Sequence, residues 1–317
     1  MAIERICVVG GGVIGSLYAG HLAHIAQVSV LTRREEHARA LVAEGLRISG
    51  KSDFTAAVHA TADPAQLPDF DLGIVATKAT QLEEAAAALA GRFPDATLMT
   101  IQNGLGAEEV VRARGDWPLL SAVTFMSGVR HSDTHVEYEL DTETWLGPFE
   151  GTATYEQAQD VEALLAASGL RARAFPDLRP AQWSKLIFNA TVNTVAALTD
   201  LPHVSAFAAQ GQPTDLGNLV HDLMDEGKAV ASAAGVELHE DPWEMNVEAV
   251  RRGETLAAEG QYAHVPSMLE DVRAGRLTEI DFITGALVRE AAKTDVSVPL
   301  HTAMYRLVKA REQKRDR

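Results

Sequence analysis

Ile6-Cys7-Val8-Val9-Gly10-Gly11-Gly12-Val13-Ile14-Gly15 is the stretch from which the rest of the chain can be read. The apolar run Ile6–Val9 predicts a strand buried on both faces, as in a parallel sheet. Gly10, Gly12 and Gly15 follow with the spacing G-x-G-x-x-G. Gly10 suits a tight turn, Gly12 lets backbone approach a pyrophosphate, and Gly15 lets helix pack on strand. Ile14, Leu17, Tyr18, Leu22 and Ile25 then recur at helical spacing. The start of that helix, at Val13 and Ile14, offers free N–H groups and a positive dipole end to phosphates. A second strand at Val28–Leu31 completes a βαβ unit, so the motif sits in the context that dinucleotide binding requires. The alternative is a glycine turn that holds no ligand.

The end of the second strand speaks to the cofactor. An NAD-binding unit usually carries Asp or Glu there, to bind the ribose 2′-hydroxyl. This chain has Thr32-Arg33-Arg34. A guanidinium suits a 2′-phosphate, so NADP(H) is favoured over NAD(H), with Arg33 preferred to Arg34 as the ligand. Glu35 and Glu36 just beyond are the counter-argument, and solvated arginines at a helix start are the structural alternative.

Further βα alternation predicts a doubly wound sheet. Strands are expected at Asp71–Ala76, Thr97–Ile101 and Leu119–Phe125, with helices at Gln81–Ala90 and from about Ala107. Lys78 and Asn103 fall at carboxyl ends of strands, where parallel sheets hold ligands. A surface lysine and a turn residue are their structural readings. Ser127–Gly147 alternates and predicts an antiparallel hairpin added to the sheet edge. A helix at Tyr155–Ser168 and a strand at Leu170–Ala174 close the unit.

Phe175–Pro180, with two prolines, predicts the boundary between domains 1–177 and 178–317. Helical patterns dominate beyond it, which predicts an all-α second domain, with the active-site cleft between the two. Within Trp183–Thr194, Lys185, Asn189 and Asn193 recur every fourth residue and share one face of an otherwise apolar helix. Asn is a poor helix former, and buried amides need partners. A lysine above two amides suits a carboxylate and a carbonyl oxygen; the alternative is polar contact between helices. Ser267 fits an N-cap, with Glu270 at capping-box spacing. Thr278 fits the cap of a helix over Glu279–Lys293, where Glu279 would be a first-turn acid. Pro299 opens a last helix whose basic tail, Lys309–Arg317, reads as a solvated end.

These residues together resemble the ketopantoate reductase (2-dehydropantoate 2-reductase) family over nearly the whole chain. The segments that carry it are the Gly10/Gly12/Gly15 turn, T-K-A-x-Q at Thr77–Gln81 and Q-N-G-x-G around Asn103. W-x-K-L-x-x-N-x-x-x-N at Trp183–Asn193 and S-M-x-x-D-x-x-x-x-R-x-T-E-I-D at Ser267–Asp281 are the more specific ones. The resemblance implies NADPH-dependent reduction of ketopantoate to pantoate, upstream of coenzyme A. It implies Lys185 as general acid, with Glu279 on the substrate hydroxyl or ordering the lysine, and also near the cofactor. Asn103, Asn189, Asn193 and Ser267 would hold substrate or cofactor, Lys78 would lie near the nicotinamide, and Arg33 would read the 2′-phosphate. His264, counted with the substrate-binding set, and Pro266 depart from the family, which commonly has Asn and Ser there. These departures leave open another bulky 2-oxo acid. A non-catalytic NADP(H)-binding sensor is the reading from a different class, opposed by the intact Lys185, Asn189, Asn193 and Glu279.

The whole chain is consistent with this. Its 317 residues suit two domains, and 46% hydrophobic residues exclude disorder of the bulk. A net charge of −16 opposes nucleic-acid and membrane partners. One cysteine, Cys7, excludes an intrachain disulfide framework, and without an H-E-x-x-H pattern no metal is expected. No apolar stretch long enough to span a membrane and no secretory start are present, so the cytoplasm is the expected compartment. The partner expected is a small 2-oxo acid; a homodimer stays open.

Overall fold

The computed structural model describes residues 3–209, 214–258 and 265–313. The chain divides into two compact units, one of Met1–Gln102 with Ala107–Leu178, the other of Asn103–Gly106 with Arg179–Arg317.

The first unit opens β1 (Arg5–Val9), α1 (Val13–Leu22), β2 (Gln27–Leu31) and α2 (Glu35–Glu44). It continues through β3 (Leu46–Gly50), β4 (Phe54–Ala56), β5 (His59–Thr61), β6 (Leu72–Val75), α3 (Leu82–Leu89), β7 (Thr97–Thr100), α4 (Ala107–Arg112) and β8 (Leu119–Thr124). β9 (Ser127–Arg130), β10 (His135–Leu140), β11 (Thr144–Pro148), α5 (Tyr155–Ala167) and β12 (Ala172–Ala174) complete it. The main sheet runs β12-β11-β8-β7-β6-β1-β2-β5. From β8 to β5 every pairing is parallel. The order reverses between β1 and β6, which is the switch point where such sheets hold ligands. Ile6 and Val8 enter the core on one face of the sheet, Cys7 and Val9 that on the other. The unbroken apolar run of β1 therefore has a tertiary cause. Burial pushes the Cys7 thiol up to about 12, so it is no nucleophile near neutrality.

The hairpin expected at the sheet edge is corrected. β9 and β10 do pair antiparallel, but in a second sheet, β4-β3-β10-β9, in which β10 also runs parallel to β3. Only β11 joins the main sheet, antiparallel to β8. Val136 and Tyr138 of β10 share a core with Leu46 and Ile48 of β3 and with Leu17, Tyr18 and Leu22 of α1. Alternation specified a half-buried strand without naming its partner; the apolar back of α1 chose it. Tyr18 of α1 also reaches β11, its hydroxyl 2.6 Å from Thr144 Oγ1.

The second unit has no strand among its described residues. Its helices are α6 (Arg179–Thr199), α7 (Asp215–Ala233), α8 (Pro242–Ala258), α9 (Ser267–Arg273), α10 (Thr284–Lys293) and α11 (Pro299–Gln313). α6 packs against each of the other five. β-Branched Thr191, Val192, Thr194 and Val195 disfavour a helix locally, but all four are buried, so packing outweighs propensity. At Gly227 of α7 an added Cβ would lie 2.6 Å from Ile187, so α7 approaches α6 closely there. Asp200, at φ 61°, and Pro202 end α6.

Two helix starts differ from expectation. Pro266, with φ −59° and ψ 140°, holds the N-cap position of α9, which moves Ser267 inside the helix and leaves no side-chain cap. Residues 279–283 form turns rather than helix, because Ile283 (φ −99°, ψ −94°) interrupts the ladder and α10 starts at Thr284. Thr278 still accepts the Ile280 N–H at 3.2 Å. No helix of the described residues is long and apolar enough to cross a membrane.

Candidate active site

Lys185, Asn189 and Asn193 lie on α6, the helix its unit is built around, and are 8%, 6% and 6% exposed. Glu279, 6% exposed, lies in the turn before α10. The segment Asn103–Gly106 follows β7 in the chain yet packs with this helical unit. Leu105 donates its N–H to the Phe282 carbonyl at 2.9 Å. Gly104 sits at φ 98°, and an added Cβ would collide with that same carbonyl, so only glycine admits the approach. Asn103 is thereby delivered to Glu279, donating from Nδ2 to Oε2 at 3.3 Å. Asn189 Nδ2 lies 3.5 Å from Asn103 Oδ1. Asn189, Asn103 and Glu279 thus form a polar chain beside Lys185.

The electrostatics of Lys185 follow from this burial. Desolvation lowers its pKa to about 8, while the Glu279 carboxylate acts to raise it. A lysine in this state holds a proton near neutrality and can release it, as a general acid must.

The loop carrying Glu279 is anchored at three points. Thr278 donates both its N–H and its hydroxyl to Glu312, each at 2.8 Å. Asp271, 1% exposed, accepts from Arg276 Nε at 2.8 Å. Asp281 accepts from Tyr305 at 2.7 Å and Lys309 at 2.9 Å. Burial works to raise the Asp281 carboxyl, but these two donors hold it below the usual range. The reading of Lys309 as part of a solvated tail is therefore corrected; residues 314–317 lie outside the described residues. Tyr305, Lys309 and Glu312 escaped sequence reasoning, although their spacing puts them on one helix face.

In the first unit the glycine turn has the geometry of a phosphate cradle. Gly10 is at φ 109°, and an added Cβ on Gly15 would collide with the Gly10 carbonyl. Above Gly12 there is open space, with nothing within 4 Å of an added Cβ. Val13 and Ile14 open α1, so their N–H groups have no acceptor within the helix. Thr77 Oγ1 and Gln102 Oε1, just past the ends of β6 and β7, are buried without a hydrogen-bond partner, as is His37 Nε2. Gln102 meanwhile donates to the Val75 and Thr77 carbonyls at 2.8 and 3.0 Å, tying the two strand ends together. Its role was not foreseen. Orphaned polar atoms at the carboxyl edge of a parallel sheet, beside an open glycine turn, fit a dinucleotide that would satisfy them. Lys78 is half-buried at the end of β6.

Of the adjacent arginines, Arg34 is committed to Asp133, at 2.6 and 2.7 Å. Arg33 is exposed. Ser267 is half-buried, and α9 packs on α6. His264 lies outside the described residues. The expectation of no metal passed over His131 and His135, which have H-x-x-x-H spacing. They flank a hairpin turn rather than share a helix face, and their Nε2 atoms meet Glu137 and Ser49, each at 2.8 Å. No group of three His, Cys, Asp or Glu side chains placed to hold a metal occurs among the described residues.

A Rossmann-type sheet with an open dinucleotide turn in one unit, and a buried lysine–glutamate pair in the helical other, define a nicotinamide-dependent oxidoreductase. Residues 6–151 match the family described as ketopantoate reductase PanE/ApbA, and residues 177–312 match its C-terminal part. The chain belongs to the ketopantoate reductase family. It is 27% identical to the 2-dehydropantoate 2-reductase of Archaeoglobus fulgidus, over 98% of this chain and 99% of that one. A PanE/ApbA family ketopantoate reductase from Ralstonia eutropha has the same fold, with TM-score 0.84, 27% identity and coverage of 99% and 100%. D-mandelate dehydrogenase, solved with NADH and anilino(oxo)acetate, shares the fold at TM-score 0.83 and 22% identity, covering 99% and 100%. One fold thus serves more than one substrate, and the site must supply the specificity.

Proposed function

We propose that this protein reduces ketopantoate to pantoate with NADPH, as a step of pantothenate and coenzyme A synthesis. The first unit binds NADP(H) through Gly10, Gly12, Val13, Ile14, Gly15 and Arg33, with Lys78 toward the nicotinamide. The helical unit binds the 2-oxo acid through Asn189, Asn193, Ser267 and, toward the cofactor, Asn103. The cofactor supplies a hydride to the 2-oxo carbon. Lys185 carries the reading: buried beside Glu279, it stabilises the charge that develops on the carbonyl oxygen and gives that oxygen its proton. Glu279, held by Asn103, orders the lysine and keeps it charged. Local cations and helix N-termini must draw two anions to a chain of net charge −16.

The pH dependence follows in sign. Reduction needs Lys185 protonated, and its pKa lies at about 8. kcat/KM for reduction should be flat below that value and fall about tenfold per pH unit above it. Oxidation of the hydroxy acid needs the neutral amine and should rise over the same range. An alkaline limb of reduction that does not move toward higher pH in Lys185→Arg would assign it to another group.

Arg33, with its neighbour taken by Asp133, is the arginine available to a 2′-phosphate. Arg33→Ala should lose about tenfold or more in kcat/KM with NADPH, the range of one charged hydrogen bond. With NADH it should lose little. Equal kcat/KM for both cofactors in the wild-type enzyme would overturn the NADPH assignment.

A second reading, another bulky 2-oxo acid, is favoured by Pro266, which holds the N-cap position of α9 and leaves it without a side-chain cap. NADPH oxidation with a panel of 2-oxo acids decides between them. The substrate with the highest kcat/KM names the activity.

A further inference from the structure

His37, the third residue of α2, is only 5% exposed, yet its Nε2 has no hydrogen-bond partner. The ring lies over the glycine turn. A Cβ added to Gly11 would stand 2.6 Å from His37 Cε1 and 3.2 Å from Nε2. The G-x-G-x-x-G spacing leaves position 11 unspecified, so the glycine there has a separate cause. It makes room for this ring and turns the orphan nitrogen toward the turn. The region between a glycine turn and the end of the second strand is where Rossmann units read the adenosine ribose. Arg33, at that strand end, stands four residues before His37.

We propose that His37 is a cofactor-specificity residue: its Nε2 contacts the substituent at C2′ of the adenosine ribose, and its protonation strengthens the preference for a 2′-phosphate. This rests on the NADPH reading above.

The Asp133 main chain hydrogen-bonds the ring, which suits Nδ1–H donating to a carbonyl. Nε2 is then an acceptor when the ring is neutral and a second donor when it is charged. A 2′-hydroxyl can donate to the neutral ring. A fully ionised 2′-phosphate only accepts, and so selects the charged ring. Burial holds the imidazole below its ordinary range. Of the charged groups that face it, Arg130 and Arg34 push the same way and Asp133 opposes them. A bound phosphate adds a second opposing charge and draws a proton onto the ring.

The sign is testable because Arg33 alone would give the opposite trend. A phosphate gains charge as pH rises through about 6, so a purely arginine site binds it better at higher pH. A histidine contact makes the preference fall. The probes are 2′,5′-ADP and 5′-AMP, titrated by calorimetry into the full-length protein between pH 5.5 and 8. In wild type the affinity ratio favouring 2′,5′-ADP should fall about tenfold or more with rising pH, the scale of one charged hydrogen bond. His37→Phe keeps a ring over Gly11 and should lose about tenfold in 2′,5′-ADP affinity at pH 5.5, with 5′-AMP little changed. His37→Gln should retain a neutral contact but lose the fall with pH. It decides the matter if His37→Phe does not fold. A wild-type preference whose pH trend survives in the folded variants makes His37 a packing residue and overturns this proposal alone. No preference for 2′,5′-ADP in wild type at any pH overturns the NADPH reading together with it.

Discussion

Lys185→Ala is expected to lower kcat on the best 2-oxo acid by about 10²–10⁴, the range for losing a positioned general acid. The expectation is geometric before it is electrostatic. Lys185 is buried on the central helix of its unit, on the face that carries Asn189 and Asn193, and it feels the Glu279 carboxylate. Burial lowers its pKa to about 8, so most of the population is charged at neutrality, with the proton held less tightly than in water. NADPH binding should change little, because the lysine is not assigned to the phosphates. KM for the 2-oxo acid should rise less than kcat falls, since the contact strengthens as charge develops on oxygen. Stability should fall as well. Removing the ammonium leaves the buried Glu279 carboxylate without its cation and opens a cavity, so the variant should melt below wild type. Near wild-type kcat in Lys185→Ala would make this a structural lysine, and Lys78 the next candidate for the acid.

Glu279→Gln should have the second largest effect, and by a different route. The amide keeps the size of the side chain but removes the one charge that raises the Lys185 pKa. The alkaline limb of reduction should therefore move below about 8, so that at pH 7.5 the loss in kcat exceeds the loss at pH 6. A fall of about 10²-fold at pH 7.5 is expected, within the range for acid–base machinery. The Asn103 contact weakens as well, since Glu279 Oε2 accepts from Asn103 Nδ2 at 3.3 Å and an amide can present its own N–H there. A uniform loss at all pH values, with the limb unmoved, would show Glu279 touching substrate without tuning the lysine.

The anchors around Glu279 bear on how such a site stays aligned. Asp271 with Arg276, Thr278 with Glu312, and Asp281 with Tyr305 and Lys309 fix the loop on both sides of the carboxylate. These contacts lie outside the proposed acid–base pair and fix the position of its carboxylate. A buried carboxylate a fraction of an ångström out of place would leave Lys185 desolvated without its partner, a costly state for the fold and the chemistry alike.

Local sequence determined those features whose cause is local. The run Ile6–Val9 and the glycines at 10, 12 and 15 specify strand, turn and helix through unbroken apolar character, positive φ at Gly10 and close approach at Gly15. Lys185, Asn189 and Asn193 share a face because a helix repeats every 3.6 residues, whatever surrounds it. Tertiary structure decided what depends on partners distant in the chain. It placed β9 and β10 in a second sheet, since an alternating strand does not encode its neighbour. It brought Asn103 to Glu279, 176 residues away, through a Gly104 contact invisible in spacing. It broke the expected helix at Ile283 and so left Glu279 in a turn. It also set the pKa of Lys185, because desolvation is a property of everything packed around a group and not of the group itself.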